Sequence, residues 1–156
     1  MKRVRTIGIL VLCLCMILLT ACSGSKADMT ISAGQVTATA GETVEIEVTL
    51  SENSNLAATD IEVFFDPSAL SYVSYENSDT LSAQIQLGNL AEDGCFHYAL
   101  ATTTPFTDAG TIFTLKLQVA EDAAGEIPLK VEVPTLVNES GEALSAEIVN
   151  GSITVQ

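Results

Sequence analysis

Apolar and polar residues alternate one by one along much of the chain. In "ETVEIEVTLS" four aliphatic residues alternate with glutamate and threonine, a pattern typical of a strand with one face in a core and the other in water. The same period of two returns in "DIEVFF", "AQIQLGN", "TIFTLKLQV", "EIPLKVEV" and "GSITV". Further strands are predicted between Met29 and Thr39 and in "CFHYALAT". The inward side chains predicted by this alternation are Val44, Ile46, Val48, Leu50, Ile61, Val63, Phe65, Ile85, Leu87, Phe113, Leu115, Leu117, Val119, Ile127, Leu129, Val131 and Val133.

Short polar clusters separate these strands. They read "SENSN", "ENSD", "AEDG", "TDAG", "EDAAG" and "NESGE", and such residues favour turns. Asp66 before Pro67 predicts a further turn, in which the carboxylate accepts downstream N–H groups while proline fixes φ. No stretch shows a long helical period with caps. The pattern therefore predicts a single all-β sandwich.

The first 22 residues carry a different pattern. Lys2, Arg3 and Arg5 precede an uncharged apolar run of 13 residues, Ile7–Leu19, which is too short for a bilayer crossing of about 20 residues. A basic head and a short apolar run are typical of a secretory signal peptide. The exit, Leu19-Thr20-Ala21-Cys22, resembles the lipobox of bacterial lipoproteins, in which the cysteine is lipidated and becomes the first mature residue.

This pattern divides the chain into three parts. We expect a signal peptide over 1–21, a lipidated cysteine with a short tether over 22–28, and the sandwich over 29–156. A tether of six residues reaches on the order of 20 Å at about 3.3 to 3.6 Å per residue. The predicted location is extracytoplasmic, anchored to the bacterial cell membrane and facing outward. An ordinary secreted protein with an unmodified thiol is the alternative.

The net charge of the mature chain limits the classes of partner that it can bind. Only Lys26, Lys116 and Lys130 remain as cations against 20 acids, so the formal net charge is −17. Such a chain repels nucleic acid and anionic lipid head groups, and we expect neither as a ligand. The acidity also keeps an exported domain soluble, and this alone explains the presence of most of the carboxylates.

One cysteine and one histidine remain after the leader. Cys95 and His97, the only histidine, lie two residues apart and would share one face of a strand. A catalytic dyad also needs an oxyanion site, and zinc needs two further nitrogen or sulfur ligands. Calcium stays an alternative because the carboxylates are so numerous, although no loop shows the regular spacing of an EF-hand. We therefore expect no catalytic residue, no metal site and no cofactor on this chain.

Two long segments resemble the halves of a cohesin domain. In the front half, Gly41-Glu42-Thr43-Val44 opens a strand, and Phe65-Asp66-Pro67 forms an aromatic-Asp-Pro turn followed by Leu70. In the back half, "TDAGTIFTLKLQVAEDAAGEIPLKVEVPTL" is followed by a last strand after the Asn150-Gly151 turn. The resemblance covers Met29 to Gln156.

The resemblance implies a jelly-roll sandwich of about nine strands that does no chemistry. Cohesins of cellulosome-type assemblies bind dockerins, small helical modules of secreted enzymes, so calcium is expected on the partner. The family places a partner-binding aspartate where Asp60 stands, and often an asparagine where this chain has Ala58. We expect a monomer that binds through one sheet face, with the following contact residues: Asp60, Glu62, Gln84, Gln86, His97, Lys130 and Glu132.

Carbohydrate binding is a second hypothesis, because many sugar-binding modules on secreted proteins are also β-sandwiches. Their sites need flat aromatic platforms. This chain has no Trp, three Tyr and five Phe, several of which the core would use. An exposed pair of coplanar rings would support this alternative.

Overall fold

A computed structural model describes residues 26–51 and 55–156. The predicted signal peptide and Cys22 lie outside these residues. The described part of the chain contains no helix of the length and hydrophobicity that a bilayer crossing requires. It forms eleven strands: β1 (Met29–Ala33), β2 (Gln35–Ala38), β3 (Thr43–Leu50), β4 (Leu56–Phe64), β5 (Leu70–Asn77), β6 (Ile85–Glu92), β7 (Cys95–Phe106), β8 (Gly110–Val119), β9 (Gly125–Asn138), β10 (Ala146–Val149) and β11 (Gly151–Val155).

The strands build two packed sheets. The five-stranded sheet has the order β10-β1-β3-β8-β5, and the six-stranded sheet has the order β2-β11-β9-β4-β7-β6. Aliphatic side chains from both sheets fill the space between them, together with the fully buried rings of Phe96, Tyr98 and Phe113. Each large apolar side chain buried in this way contributes about 1.5 to 3 kcal/mol. The predicted all-β sandwich is confirmed.

The strand count is eleven rather than the expected nine because the first and last strands each change sheets. β1 pairs with β3 in one sheet, whereas β2 pairs with β11 in the other, and Gly34 lies between them. β10 and β11 separate in the same way at Asn150. A Cβ on Gly151 would lie 2.6 Å from the carbonyl oxygen of Gly34. The crossing of the two strands therefore requires a residue without a side chain.

The predicted inward positions are confirmed in β3, β4, β8 and β9. Their aliphatic side chains are buried, as is Phe65 just beyond β4, and Val133 is half-buried. In β6 the prediction is wrong, because Ile85 and Leu87 are 55% and 61% exposed. The inner positions of β6 belong instead to Gln86 and Gly88.

The ring of Phe96 explains this reversal in β6. A Cβ on Gly88 would lie 2.5 Å from Cζ of Phe96, so only glycine fits opposite that ring. Gln86 then also points inward, and its amide nitrogen donates to the hydroxyl of Tyr98 at 3.4 Å and to the carbonyl of Leu81 at 3.2 Å. The expected outward orientation of Gln86 is therefore wrong.

Three exposed carboxylates accept hydrogen bonds from a serine or threonine, two of them within a turn and one between the start of the described chain and Ser145. Asp66 accepts the hydroxyl of Ser68 at 2.7 Å and its N–H at 2.9 Å, which confirms the turn predicted at Asp66-Pro67. Asp28 accepts the N–H and hydroxyl of Ser145, and Glu42 those of Thr39. These hydrogen bonds favour the ionised form and lower the pKa of all three carboxyl groups.

The lowered pKa values predict a loss of stability in acid. A carboxyl group whose folded pKa is depressed stabilises the fold above its unfolded pKa of about 4, and this contribution is lost as the pH falls through the folded value. Replacing Asp28, Asp66 and Glu42 by Asn, Asn and Gln should lower the thermal midpoint at pH 7 and flatten its fall below about pH 4. Thermal melts from neutral to acid pH measure this.

A matched control removes three negative charges from carboxylates that accept no hydrogen bond within the described residues. In the described chain no hydrogen bond joins another residue to the carboxylates chosen for this control: Glu47, Glu121 and Glu139. Their replacement by Gln reports the relief of charge repulsion alone. If the thermal midpoints of the two triple variants changed equally with pH, the hydrogen bonds of Asp28, Asp66 and Glu42 would not be the cause of the acid sensitivity.

Candidate functional site

The outer side of the six-stranded sheet presents a flat surface made by β6, β7, β4 and β9. Residues directly opposite each other on neighbouring strands point to the same side, so the register arranges the outward side chains in rows. We call this surface the outer face, and its rows are Ile85, Ala101, Ala58 and Val137; Leu87, Ala99, Asp60 and Thr135; Asn89, His97, Glu62 and Glu132; and Cys95, Phe64 and Lys130.

One end of the outer face is apolar. Ile85 and Leu87 stand on β6 beside Ala101 and Ala99 of β7, and Ala58 continues the first row on β4. Of the five large apolar residues that are exposed in the described chain, three lie on β6. The alternation of apolar residues does not predict this apolar end, because it places Ile85 and Leu87 in the core. The glycine at position 88, one residue beyond the alternation, was the available signal.

Asp60 lies where the apolar end meets the polar end. Its side chain is 36% exposed, and its Oδ1 lies 3.5 Å from Nε2 of His97, which is 33% exposed. On β7 the residue opposite Asp60 is Ala99, and a methyl group leaves space above the carboxylate. Asp60 can therefore accept a further hydrogen bond from outside.

The other end of the outer face is charged. Glu62 of β4 stands directly opposite Glu132 of β9, and like charges in this arrangement repel. Nζ of Lys130 lies 2.5 Å from Oε1 of Glu132 and 5.9 Å from the centre of the Phe64 ring, within reach of a cation–π contact. One lysine thus offsets part of the charge, and the end of the face remains acidic.

Five of the seven predicted contact residues share the outer face, namely Asp60, Glu62, His97, Lys130 and Glu132. The two glutamines serve another purpose. Oε1 of Gln84 accepts the N–H of Thr103 at 2.9 Å, and Gln86 points inward to Tyr98 and Leu81. Both amides hold the loop between β5 and β6 in place.

Cys95 and His97 share a side of β7 as predicted, but His97 is directed at Asp60. Cys95 is a buried residue, with only 5% of its surface exposed. Burial raises its pKa, and the negative charges of Glu62, Glu92 and Glu132 raise it further. The group is therefore a neutral thiol near pH 7, which is a poor nucleophile.

Metal chemistry and sugar binding would each need a feature that the described part of the chain does not show. No group of three or more His, Cys, Asp or Glu side chains is arranged to hold a metal ion there. The two stacked ring pairs, Tyr72 with Phe96 and Tyr98 with Phe113, each include a fully buried ring. Neither pair forms the exposed platform that the carbohydrate hypothesis asks for.

The fold and the outer face define a class of protein, a β-sandwich that presents one flat sheet face. The family model of the Cohesin domain matches residues 29–155. The chain therefore belongs to the cohesin domain family. Cohesin domains are non-catalytic protein-binding modules, so this chain is a binding module and not an enzyme.

Solved cohesin structures share this fold at low sequence identity. The seventh ScaB type I cohesin of Pseudobacteroides cellulosolvens is 20% identical, with a TM-score of 0.75 over 82% of this chain and 92% of its own. The Coh-OlpA–Doc918 cohesin–dockerin complex of Clostridium thermocellum gives 18% identity and a TM-score of 0.74, covering 82% of this chain and 99% of the matched chain.

A cohesin described as non-cellulosomal, from the archaeon Archaeoglobus fulgidus, is 16% identical with a TM-score of 0.72, covering 83% of this chain and 92% of its own. No curated protein matches the sequence.

The environment of Cys95 predicts slow thiol chemistry. Because the sulfur is buried and its pKa is raised, a disulfide reagent near pH 8 should modify the folded chain at least about tenfold more slowly than the urea-unfolded chain. A chain that begins at Ser23 lacks the other three cysteines. The absorbance of the coloured thiolate released by the reagent therefore reports on Cys95 alone. Equal rates in the two states would contradict this assignment.

Proposed function

We propose that this chain is a surface receptor that captures a dockerin-type module on its outer face. Membership of the cohesin family and the solved complexes of similar cohesins with dockerins support the proposal. The observation that carries it is the position of Asp60, a half-exposed carboxylate between an apolar and an acidic end of one flat sheet.

The two ends of the face fit different parts of a helical partner. Ile85, Leu87 and the neighbouring alanines give an apolar seat, which gains about 25 cal/mol for each Å² removed from water. Hydroxyl or lysine donors of the partner reach Asp60, and basic side chains approach Glu62 and Glu132. Because Ala58 cannot hydrogen-bond through its side chain, the polar contacts are concentrated on Asp60.

The proposal places calcium on the partner. Dockerins are calcium-loaded modules, whereas the described part of this chain has no cluster that could hold a metal. Chelation should therefore abolish binding by unfolding the partner while this domain stays folded. One copy of the chain binds one dockerin.

Membrane anchoring through Cys22 completes the proposal. The tether enters the domain at Asp28, whose carboxylate is held by Ser145. Leu144, the residue before Ser145, donates its N–H to the carbonyl of Leu136 of β9, next to Val137 at the apolar end of the outer face. The anchor would thus hold Asp28 within roughly 20 Å of the bilayer, and this hydrogen-bonded segment connects Asp28 to that end of the face. The location is extracytoplasmic, and membership of a cellulosome is not required.

The binding face is tested by Asp60→Ala. Losing one partner of a buried charged hydrogen bond costs about 2 to 5 kcal/mol, or roughly thirty- to several-thousand-fold in affinity. The residues from Ser23 onward include every described strand and serve as the soluble protein. A panel of purified, calcium-loaded dockerins is first screened for a binder, which is then titrated calorimetrically against Asp60→Ala.

Glu47→Ala is the matched control, because Glu47 is an exposed acid of β3 on the opposite sheet. Its affinity should stay within about threefold of the parent, with only a salt-dependent change in association rate. A chelator added to the parent complex should release the dockerin. Equal affinities for Asp60→Ala and Glu47→Ala would exclude the outer face as the binding site.

The anchor is tested by Cys22→Ala in a bacterial host. The parent should partition into the detergent phase with the mass of a lipidated chain that begins at Cys22. Two or more acyl chains, at about 0.8 kcal/mol per buried methylene, hold such a chain firmly. The variant should accumulate as an unlipidated precursor. A parent protein with an unlipidated N-terminus at another residue would refute the anchor and leave dockerin binding untouched.

A further inference from the structure

The edge strand β6 lacks the features that keep sheet edges apart. It is the last strand of the six-stranded sheet, so one side of its backbone has no strand beside it. Native edges are usually protected by lysine, proline, inward charges or short length. Residues 80–91 contain no charged residue and no proline, although the chain has 20 acids. β6 is eight residues long, and Ile85 and Leu87 are its most exposed apolar side chains.

The other sheet edges differ from β6. β2 and β10 have four residues each, and β10 carries Glu147. β5 carries Glu76 and is interrupted by a bulge between Tyr72 and Ser74. β6 has its bulge only near its end, between Leu90 and Glu92. Residues 85–90 of β6, before this bulge, are therefore the longest regular, uncharged edge in the described chain.

We propose that β6 pairs antiparallel with β6 of a second copy, joining two six-stranded sheets into one. Opposite residues of an antiparallel pair share a face, so a twofold axis at Leu87 places Leu87 opposite Leu87 of the second copy. Ile85 then stands opposite Asn89, and Gln86 opposite Gly88. The exposed leucines and isoleucines of both copies form one apolar cluster on the outer side, and no acid lies in this ladder.

A second copy can occupy the β6 edge because no charge lies along it. Two molecules of net charge −17 repel each other, and among the other sheet edges β5 carries Glu76, β10 carries Glu147, and β2 is uncharged but has only four residues. The β6 edge therefore lets two copies pair over its length without placing carboxylates together. A twofold axis also makes any strand edge complementary to itself. A helical partner would cover Ile85 and Leu87 but leave the β6 backbone edge unpaired.

The dimer uses part of the surface that the proposed function needs. Ile85 and Leu87 belong to both contacts, so dimerisation and partner binding exclude each other. The free chain is then a dimer at high concentration, in contrast to the monomer expected from sequence, and a partner separates it. The self-association itself is independent of whether the partner is a dockerin.

Sedimentation equilibrium of the chain from Ser23 onward tests the proposal without any partner. Between roughly 10 μM and 1 mM the mass should rise from monomer to dimer, and added salt should strengthen the dimer by screening the repulsion. Leu87→Lys places two lysines opposite each other on the axis and removes both leucines. It should weaken the dimer by roughly 10- to 100-fold.

Val149→Lys is the control, because Val149 is also exposed but lies on β10, at the far edge of the other sheet. Val149→Lys changes the charge by the same amount as Leu87→Lys and should leave the dissociation constant of the dimer unchanged. Both replaced side chains are exposed, and circular dichroism checks that both variants fold. A parent that stays monomeric at all concentrations would overturn the proposal, as would a dimer that Leu87→Lys and Val149→Lys affect equally.

Discussion

The contact between the Phe96 ring and the backbone of Gly88 determines which side of β6 faces outward. Phe96 packs among Tyr72, Tyr75 and Phe113 at centroid distances of 5.4 to 5.6 Å, and this filled space has no room for a side chain at position 88. The glycine must face the rings, so the residues before and after it face solvent. Ile85 and Leu87 are exposed for this reason, and the apolar end of the outer face depends on it.

The same packing explains the inward position of Gln86. An amide at position 86 faces the core and would be costly if left without a partner, but the hydroxyl of Tyr98 and the carbonyl of Leu81 satisfy it. Tyr98 in turn donates to Asn77 at the end of β5. This buried polar chain fastens the loop between the two edge strands. Gln86, which resembled a partner-binding residue from its side-chain chemistry, therefore has a structural role.

Much of the fold can be predicted from the sequence, because in a strand with one buried face every second residue is apolar. The alternation correctly predicts that Ile61, Val63 and Phe65 point into the core, and hence that Asp60 and Glu62 point outward. It failed in β6 because the apolar residues there are surface residues. Gly88 is the one sequence signal of this, and the position of the Phe96 ring gives its reason. The changes of sheet at Gly34 and Asn150 were also hidden, since they depend on two distant strands crossing. The pairing of His97 with Asp60 required the register of β4 with β7.

The distribution of charge decides where this acidic domain can make contacts. On the five-stranded sheet Lys116 bridges Glu45 and Glu76, and on the outer face Lys130 pairs with Glu132. Both lysines are thus used locally, and the long-range field of the domain stays negative. Any macromolecule must then either bring positive charge or approach where the surface carries none. The uncharged stretch at β6 borders the acidic rows of the same face, so a basic, partly apolar helix meets both conditions at once. A second copy of the chain meets only the second condition, which explains why a partner of that kind would displace it.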